Sequence, residues 1–140
     1  MKKKLNCILL IEDNEFTNIF NQKLISDLDI TESISIAETA AKGLDFLCGI
    51  GKYKEHCSTP DLIFLDINMP GMNGWEFLEE YRKLNPKKIK PIKIVMLTTS
   101  PNPDDEEKAK TISEIISFNR KPLTKNSIRE IVEKHFSDYE

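Results

Sequence analysis

Charged side chains follow short apolar segments at three places in this sequence. Asp66 comes directly after residues 62–65, Glu12 and Asp13 end an earlier apolar run, and Lys121 follows a late one. Apolar runs this short are typical of strands buried on both faces. If these strands are parallel, their carboxyl ends meet at one edge of a sheet, and the four charged groups share one hollow there.

Such a hollow would suit a metal ion and a phosphoryl group. Three crowded carboxylates repel one another, and a hard divalent cation with oxygen ligands relieves that repulsion. Asp66 taken alone has a second interpretation, in which it only caps the next turn or helix. Because Glu12, Asp13 and Lys121 would join it, we expect a Mg²⁺ site that attracts a phosphoryl group.

The elements that would position this site alternate between two periodicities. Five short apolar or β-branched segments alternate with five segments of helical spacing. Strands are predicted at residues 6–11, 33–36, 62–65, 92–97 and 114–118. This alternation predicts an α/β fold with one parallel sheet covered by helices on both faces. Right-handed crossovers favour the flavodoxin-like doubly wound order 2-1-3-4-5, with the hollow at the carboxyl ends of strands one, three and four.

The first helix carries an apolar stripe at helical spacing. Phe16, Ile19, Phe20, Leu24 and Leu28 fall on one face at helical spacing. The stripe predicts an amphipathic helix that packs this face on the sheet.

The fourth helix has a different composition. Residues 104–112 begin with acids, continue with lysines and contain few apolar side chains. This order suits the helix dipole but predicts a short, mobile and weakly anchored helix. Trp75, at the start of the third helix, either packs against the sheet or lies at the surface, and we expect it to pack.

Length and composition exclude several classes of protein. At 140 residues the chain suits one domain, with a core at about residues 5–138 and no separate output domain. Its net charge of −3, with acids and bases mixed, gives no footprint for direct nucleic-acid binding. No apolar run approaches the roughly 18 residues of a membrane helix, so we expect no membrane insertion and a cytoplasmic location.

Taken together, the motifs resemble the receiver domain of response regulators in two-component signalling. The pair Glu12-Asp13 follows strand one, Asp66 lies in an Asp-x-x-Met-Pro-Gly-x-x-Gly segment, Thr98 follows strand four, and Lys121-Pro122 follows strand five. The resemblance covers nearly the whole chain, with every motif in the family's order. Each motif is weak alone, but the set is specific.

The resemblance implies a phosphorylation site. Asp66 would take a phosphoryl group from a phosphohistidine on a histidine kinase or a histidine phosphotransfer protein. Mg²⁺ would be held by Asp13, Asp66, the backbone carbonyl of Asn68, and Glu12 directly or through water. Lys121 would contact a phosphoryl oxygen as a compact positive charge.

The resemblance also implies a switch. The Thr98 hydroxyl would donate to the phosphoryl group, and the ring of Phe118, where the family commonly has tyrosine, would turn inward. This movement would alter the face formed by the fourth helix, fifth strand and fifth helix, through which the protein binds a downstream partner or passes phosphate in a relay. Pro122 matches a proline that follows a cis peptide bond in the family.

Three functions are therefore compared. The leading one is a stand-alone receiver, a regulatory phosphoacceptor that assists its own phosphorylation and dephosphorylation without being an enzyme. The second is a receiver-like scaffold that binds partners without phosphorylation. The third is a small aspartyl-phosphate phosphatase, although such enzymes generally carry a second aspartate where this chain has Asn68.

Overall fold

The computed structural model describes residues 4–48, 60–83, 92–100 and 102–136. Both ends of the predicted domain, residues 1–3 and 137–140, lie outside the described residues. The five strands are β1 Leu5–Ile11, β2 Thr31–Ala37, β3 Leu62–Asp66, β4 Lys93–Thr98 and β5 Ile115–Arg120. The five helices are α1 Glu15–Leu28, α2 Ala40–Cys48, α3 Gly74–Lys83, α4 Pro103–Lys110 and α5 Lys125–His135. Within the described part of the chain, no helix has the length and apolar character needed to cross a membrane.

The strands form one parallel sheet in the order β2-β1-β3-β4-β5. This confirms the predicted flavodoxin-like topology. In the sheet, Ile11 pairs with Leu65 and Asp66 pairs with Leu97. The carboxyl ends of β1, β3 and β4 are therefore level with one another, which places the residues that follow them at a common edge.

Two apolar cores cover the two faces of the sheet. The first contains side chains of α2 and α3, including Phe46 and Phe77, and the second contains side chains of α1 and α5, including Ile25 and Ile128. All five residues of β3 are buried, as expected for a strand covered on both faces. The central strand that ends at Asp66 is thus held by packing from both sides.

The predicted apolar face of α1 is wrong over the first half of the helix. Phe16, Ile19 and Phe20 are 79%, 58% and 46% exposed. Only Leu24 and Leu28 pack on the core from the predicted stripe, and both are partly buried.

A different stripe of α1 faces the sheet. Asn18, Asn21 and Ile25 are its buried residues, again at helical spacing. The Asn18 amide Nδ2 donates to the carbonyl oxygen of Glu12 at 2.9 Å, so a polar side chain is accommodated in the buried position. The hydrogen bond offsets part of the cost of burying Asn18, whose Oδ1 has no hydrogen-bond partner among the described residues.

Helix α4 has the thin apolar face that its composition predicts. Ala109 is its one buried residue, and the Asn102 side chain caps the helix by accepting from the backbone N–H of Asp104 at 2.8 Å. Trp75, in the first turn of α3, is half-buried and packs against the first core, as expected. Little apolar burial therefore fixes α4 on the sheet.

Candidate functional site

The acidic residues predicted from the sequence meet at the carboxyl edge of the sheet. One carboxylate oxygen from each of Glu12, Asp13 and Asp66 lies within 4.8 Å of the other two. Asp13 is exposed, whereas Glu12 and Asp66 are buried. β1 supplies the first two residues just beyond its end, and β3 supplies the third as its last residue. The geometry therefore agrees with the predicted convergence.

Both oxygens of the Glu12 carboxylate accept hydrogen bonds. Oε1 lies 2.5 Å from Lys121 Nζ, and Oε2 accepts from the backbone N–H of Asn14 at 3.1 Å. Burial raises the pKa of Glu12 above its ordinary value, and the hydrogen bond from Lys121 opposes this rise without cancelling it. Glu12 is thus oriented by its neighbours before any ligand arrives.

Lys121 also reaches Asp66. Its Nζ lies 3.2 Å from Asp66 Oδ1, and the lysine side chain is 15% exposed. Burial lowers the pKa of Lys121, but the hydrogen bond with Glu12 and the charges of Asp66 and Glu12 outweigh burial, so the net shift is upward. Lys121 therefore remains a cation, and it partly neutralises the carboxylates around it.

The backbone around Lys121 joins it to β4. Its N–H donates to the carbonyl oxygen of Thr98 at 2.8 Å, and the peptide bond between Lys121 and Pro122 is cis. Thr98 is buried and lies one residue beyond Leu97, the residue that pairs with Asp66. The Thr98 hydroxyl accepts from the backbone N–H of Ser100 at 3.1 Å.

Asp66 lies at the floor of the site. Its side chain is 4% exposed, and Oδ1 accepts a hydrogen bond from the backbone N–H of Asn68 at 3.3 Å. Asn68 and Asp13 are exposed. Asp66 is therefore nearly covered, while exposed residues that follow β1 and β3 lie beside it.

Phe118 lies on β5 opposite Met96, which is two residues before Thr98. It is half-buried against the first core and lines a hollow of about 200 Å³ that also borders Ala109 and Glu106 of α4. The residue predicted to switch thus lies between the end of β4 and the fourth helix.

Sequence reasoning missed two features beside the site. The first is Asn18, whose amide supports the Glu12 carbonyl. The second is a hollow of about 340 Å³ between α1 and the segment after β5, bordered by Phe16, Phe20, Lys121 and Pro122 among others. The available signal for both was a second stripe at helical spacing, formed by Asn18, Asn21, Ile25 and Leu28. If this stripe faces the sheet, Asn18 is buried near Glu12, and Phe16 and Phe20 face solvent.

The arrangement can bind a cation and an anion side by side. Carboxylate oxygens are the ligands that hard divalent ions prefer, and these three lie close enough together to share one ion. Lys121 supplies positive charge and a hydrogen-bond donor for an anionic group. Such a combination suits phosphoryl transfer, which mainly requires positioning and charge neutralisation.

Comparisons with known proteins agree with this geometry. A family model described as the response regulator receiver domain matches residues 8–133. Response regulator Rcp1 from Synechocystis sp. is 37% identical over 98 residues, which make up 70% of this chain. The match spans 65% of the length of Rcp1, just under two thirds.

Solved structures with the same fold are also similar in sequence. A two-component response regulator from Cytophaga hutchinsonii is 28% identical with a TM-score of 0.84, and the match covers 96% of this chain and 99% of that one. The Mn²⁺-bound form of Rcp1 is 28% identical with a TM-score of 0.74, and the match covers 94% of each chain. The chain therefore belongs to the family of response regulator receiver domains of two-component signalling.

Proposed function

We propose that Asp66 is the phosphoacceptor of this receiver and that its phosphorylation regulates a partner protein. The observation that carries the proposal is the placement of Lys121 Nζ 3.2 Å from Asp66 Oδ1, beside the carboxylates of Glu12 and Asp13. A phosphoryl group on Asp66 would lie among these charges.

The site residues fit a divalent cation, and we assign Mg²⁺ to them. Glu12, Asp13 and Asp66 would supply carboxylate oxygens, and the backbone carbonyl of Asn68 would supply a fourth ligand. When bound, the ion neutralises negative charge on the phosphoryl oxygens. Support comes from the spacing of the three carboxylates, and the solved structure of the relative Rcp1 with Mn²⁺ is consistent with it.

The transfer step needs no base in the protein. A carboxylate oxygen of Asp66 attacks the phosphorus of a phosphohistidine, the phosphorus–nitrogen bond breaks, and the imidazole nitrogen keeps the electron pair. Lys121 then turns from the carboxylates toward a phosphoryl oxygen, and the Thr98 hydroxyl donates to another. The raised pKa of Lys121 favours this role because the ammonium stays charged.

The phosphohistidine donor is a histidine kinase or a histidine phosphotransfer protein, and we propose that it contacts α1. We call Phe16, Ile19 and Phe20 the α1 apolar surface. Exposed apolar patches beside a site are typical of binding surfaces. The hollow under Phe16 and Phe20 also borders Lys121, so a protein seated there would bring its imidazole close to Asp66.

On the other side of the site, Thr98 and Phe118 would pass the change to the surface formed by α4, β5 and α5. Phe118 and Ala109 of α4 line the same hollow, so the ring lies next to that helix. A downstream partner, or a further phosphotransfer protein in a relay, would bind that surface. In this proposal, the receiver accepts the phosphoryl group from a donor bound at α1. Once phosphorylated, it acts on a partner through the surface that contains α4.

Intact mass spectrometry tests the phosphoacceptor directly. With Mg²⁺ and acetyl phosphate, the wild type is expected to gain the mass of one phosphoryl group, and Asp66→Asn is expected to gain none. Asp45→Asn, which changes an exposed aspartate of α2, is the matched control and should react like the wild type. A wild type without an adduct would favour the phosphorylation-independent scaffold, and an adduct that persists in Asp66→Asn would place the acceptor elsewhere.

A further inference from the structure

A side-chain contact joins the third and fourth helices. The indole N–H of Trp75 donates to Asp105 Oδ1 at 3.2 Å, and Lys108 Nζ lies 4.8 Å from the centroid of the Trp75 ring. Both partners belong to α4, one turn apart along the helix. We call these three residues the Trp75 clasp.

At the start of α3, the clasp is connected through backbone contacts to Asp66, the proposed phosphoacceptor. Trp75 follows Gly74, whose N–H donates to the carbonyl oxygen of Ile67 at 2.9 Å. A Cβ atom added at Gly74 would lie 2.8 Å from the backbone oxygen of Asp66 and 3.0 Å from the Cα of Ile67. The start of α3 therefore packs directly on the backbone at Asp66, and a shift of one must move the other.

The position of α4 depends on few other contacts. Ala109 is its one buried residue, and most of its remaining side chains are exposed. Asp105 is the exception among the three acids of its first turn, because the contact with Trp75 leaves it only half exposed. A hydrogen bond to a charged acceptor and a cation over an aromatic ring thus join this helix to α3, in addition to the burial of Ala109.

We propose that the Trp75 clasp couples α4 to Asp66. In the unphosphorylated protein it holds α4 against the start of α3, and a phosphoryl group on Asp66 changes that hold through Gly74. The coupling rests on the proposed function because it requires Asp66 to be the acceptor. It gives the site a route to α4 that is separate from the one through Thr98 and Phe118.

Hydrogen exchange of the α4 amides, read by mass spectrometry, tests the clasp with a closely matched pair of variants. Asp105→Ala removes the acceptor for Trp75. Asp104→Ala, the control, removes a neighbouring exposed acid from the same helical turn, so both variants lose the same favourable charge near the helix N-terminus. Before any phosphodonor is added, the α4 amides of Asp105→Ala should exchange about fivefold faster than those of the wild type or Asp104→Ala. A factor of this size corresponds to the loss of one net hydrogen bond.

The same variants are then treated with Mg²⁺ and acetyl phosphate, and intact mass measures the adduct in each sample. In the wild type and Asp104→Ala, phosphorylation should change the exchange of the α4 amides. In Asp105→Ala the adduct should form equally well, but the change should be clearly smaller, because the hydrogen bond from Trp75 to α4 is gone while the route through Thr98 and Phe118 remains.

Each outcome decides a separate point. If no adduct forms in the wild type, the proposed function fails, while the untreated samples still show whether the clasp holds α4. If the α4 amides of Asp105→Ala exchange as slowly as those of Asp104→Ala before acetyl phosphate is added, the clasp does not hold the helix. If the α4 amides of Asp105→Ala respond to phosphorylation as fully as those of the wild type, the proposed coupling is overturned. The signal then reaches α4 by another route.

Discussion

Helices α1 and α4 lie on either side of the proposed phosphoacceptor site and expose different kinds of side chain to solvent. α1 buries two asparagines and exposes the α1 apolar surface. α4 buries one alanine and exposes its charges. The first packs with α5 on one face of the sheet, and the second contacts Trp75, which packs on the core of the other face.

On the proposed function, the contrast assigns recognition of the phosphodonor to α1 and the response to phosphorylation to α4. α1 is joined to the residue after β1 by the hydrogen bond from Asn18 to the Glu12 carbonyl and buries Ile25 in the second core, and its exposed Phe16 and Phe20 lie beside the site. α4 has few buried contacts and is held by the clasp, so a small change in free energy can move it. A donor protein needs a rigid surface, whereas a switch needs a weakly held element. If the proposal holds, the two helices meet these two needs separately.

Gly74→Ala should have the largest effect on stability. The local disturbance that it causes should appear in α4 and not in α1. The new methyl group would meet the backbone of Asp66 and Ile67, which cannot move aside easily, and we expect a loss of about 2 kcal/mol in the free energy of unfolding. Gly43→Ala is the comparison, because the nearest atoms to its methyl group would be side-chain atoms alone, Ile11 Cδ1 at 2.7 Å and Phe77 Cε1 at 3.2 Å, and no backbone atom. Urea denaturation measures both costs, and hydrogen exchange locates the disturbance.

For Gly74→Ala, exchange should rise in α4 and remain unchanged in α1. Equal costs for the two glycine variants, or a disturbance spread evenly over both helices, would contradict the tight contact between α3 and the backbone of Asp66.

Phe16→Ser should have the next largest effect, on phosphotransfer from a protein donor. Because Phe16 is 79% exposed, its loss should change the free energy of unfolding by less than about 0.5 kcal/mol. Transfer from a phosphorylated histidine phosphotransfer domain, chosen because it reacts with the wild type, should slow about tenfold if the ring is a docking contact. The rate with acetyl phosphate should not change, since a small donor needs no docking surface.

Gln22→Ser is the control for Phe16→Ser, because Gln22 is an exposed, uncharged residue of the same helix. It should leave both rates unchanged. Equal slowing of Phe16→Ser with both donors would mean that the variant disturbs the site itself, and no slowing with the protein donor would remove α1 from the docking surface.

The sequence predicted the sheet and the meeting of the acids because both follow from patterns along single segments. An apolar run that ends in an acid identifies a strand and its carboxyl end together, as at Ile11-Glu12 and Leu65-Asp66. The parallel order of the strands then brings those ends to one edge. The roles assigned to Asp66, Lys121 and Thr98 stay predictions until the phosphorylation experiment is done.

The sequence could not predict which face of α1 is buried, because two stripes overlap on that helix. The more apolar one begins at Phe16, and the buried one begins at Asn18. Burial of the second stripe is accompanied by a hydrogen bond from Asn18 to the carbonyl of Glu12, just after β1, which hydrophobicity does not encode. For the same reason, charge pattern alone could not separate Asp105, which contacts Trp75, from Asp104 beside it.

The smallest expected effect concerns a second anchor on the α4 side, the ion pair between Arg82 and Glu114. Arg82 Nη2 donates to Glu114 Oε1 at 2.7 Å and Nε donates to Oε2 at 3.2 Å, which joins the end of α3 to the residue before β5. These hydrogen bonds hold the pKa of Glu114 below its ordinary value of 4.5, against burial, which raises it. Because the folded pKa is the lower one, the pair stabilises the fold above pH 4.5, and this contribution is lost as the pH falls below that value.

Arg82→Gln should therefore lower the free energy of unfolding by at most about 1 kcal/mol near neutral pH, since Arg82 is half exposed. The difference from the wild type should shrink as urea denaturation is repeated at pH values below 4.5. Lys83→Gln, which breaks the more exposed pair with Glu80, is the control and should show a smaller, less pH-dependent difference. A pH-independent cost for Arg82→Gln would mean that the side chain acts by packing, and the Trp75 clasp would then be the main polar anchor between α3 and the α4–β5 segment.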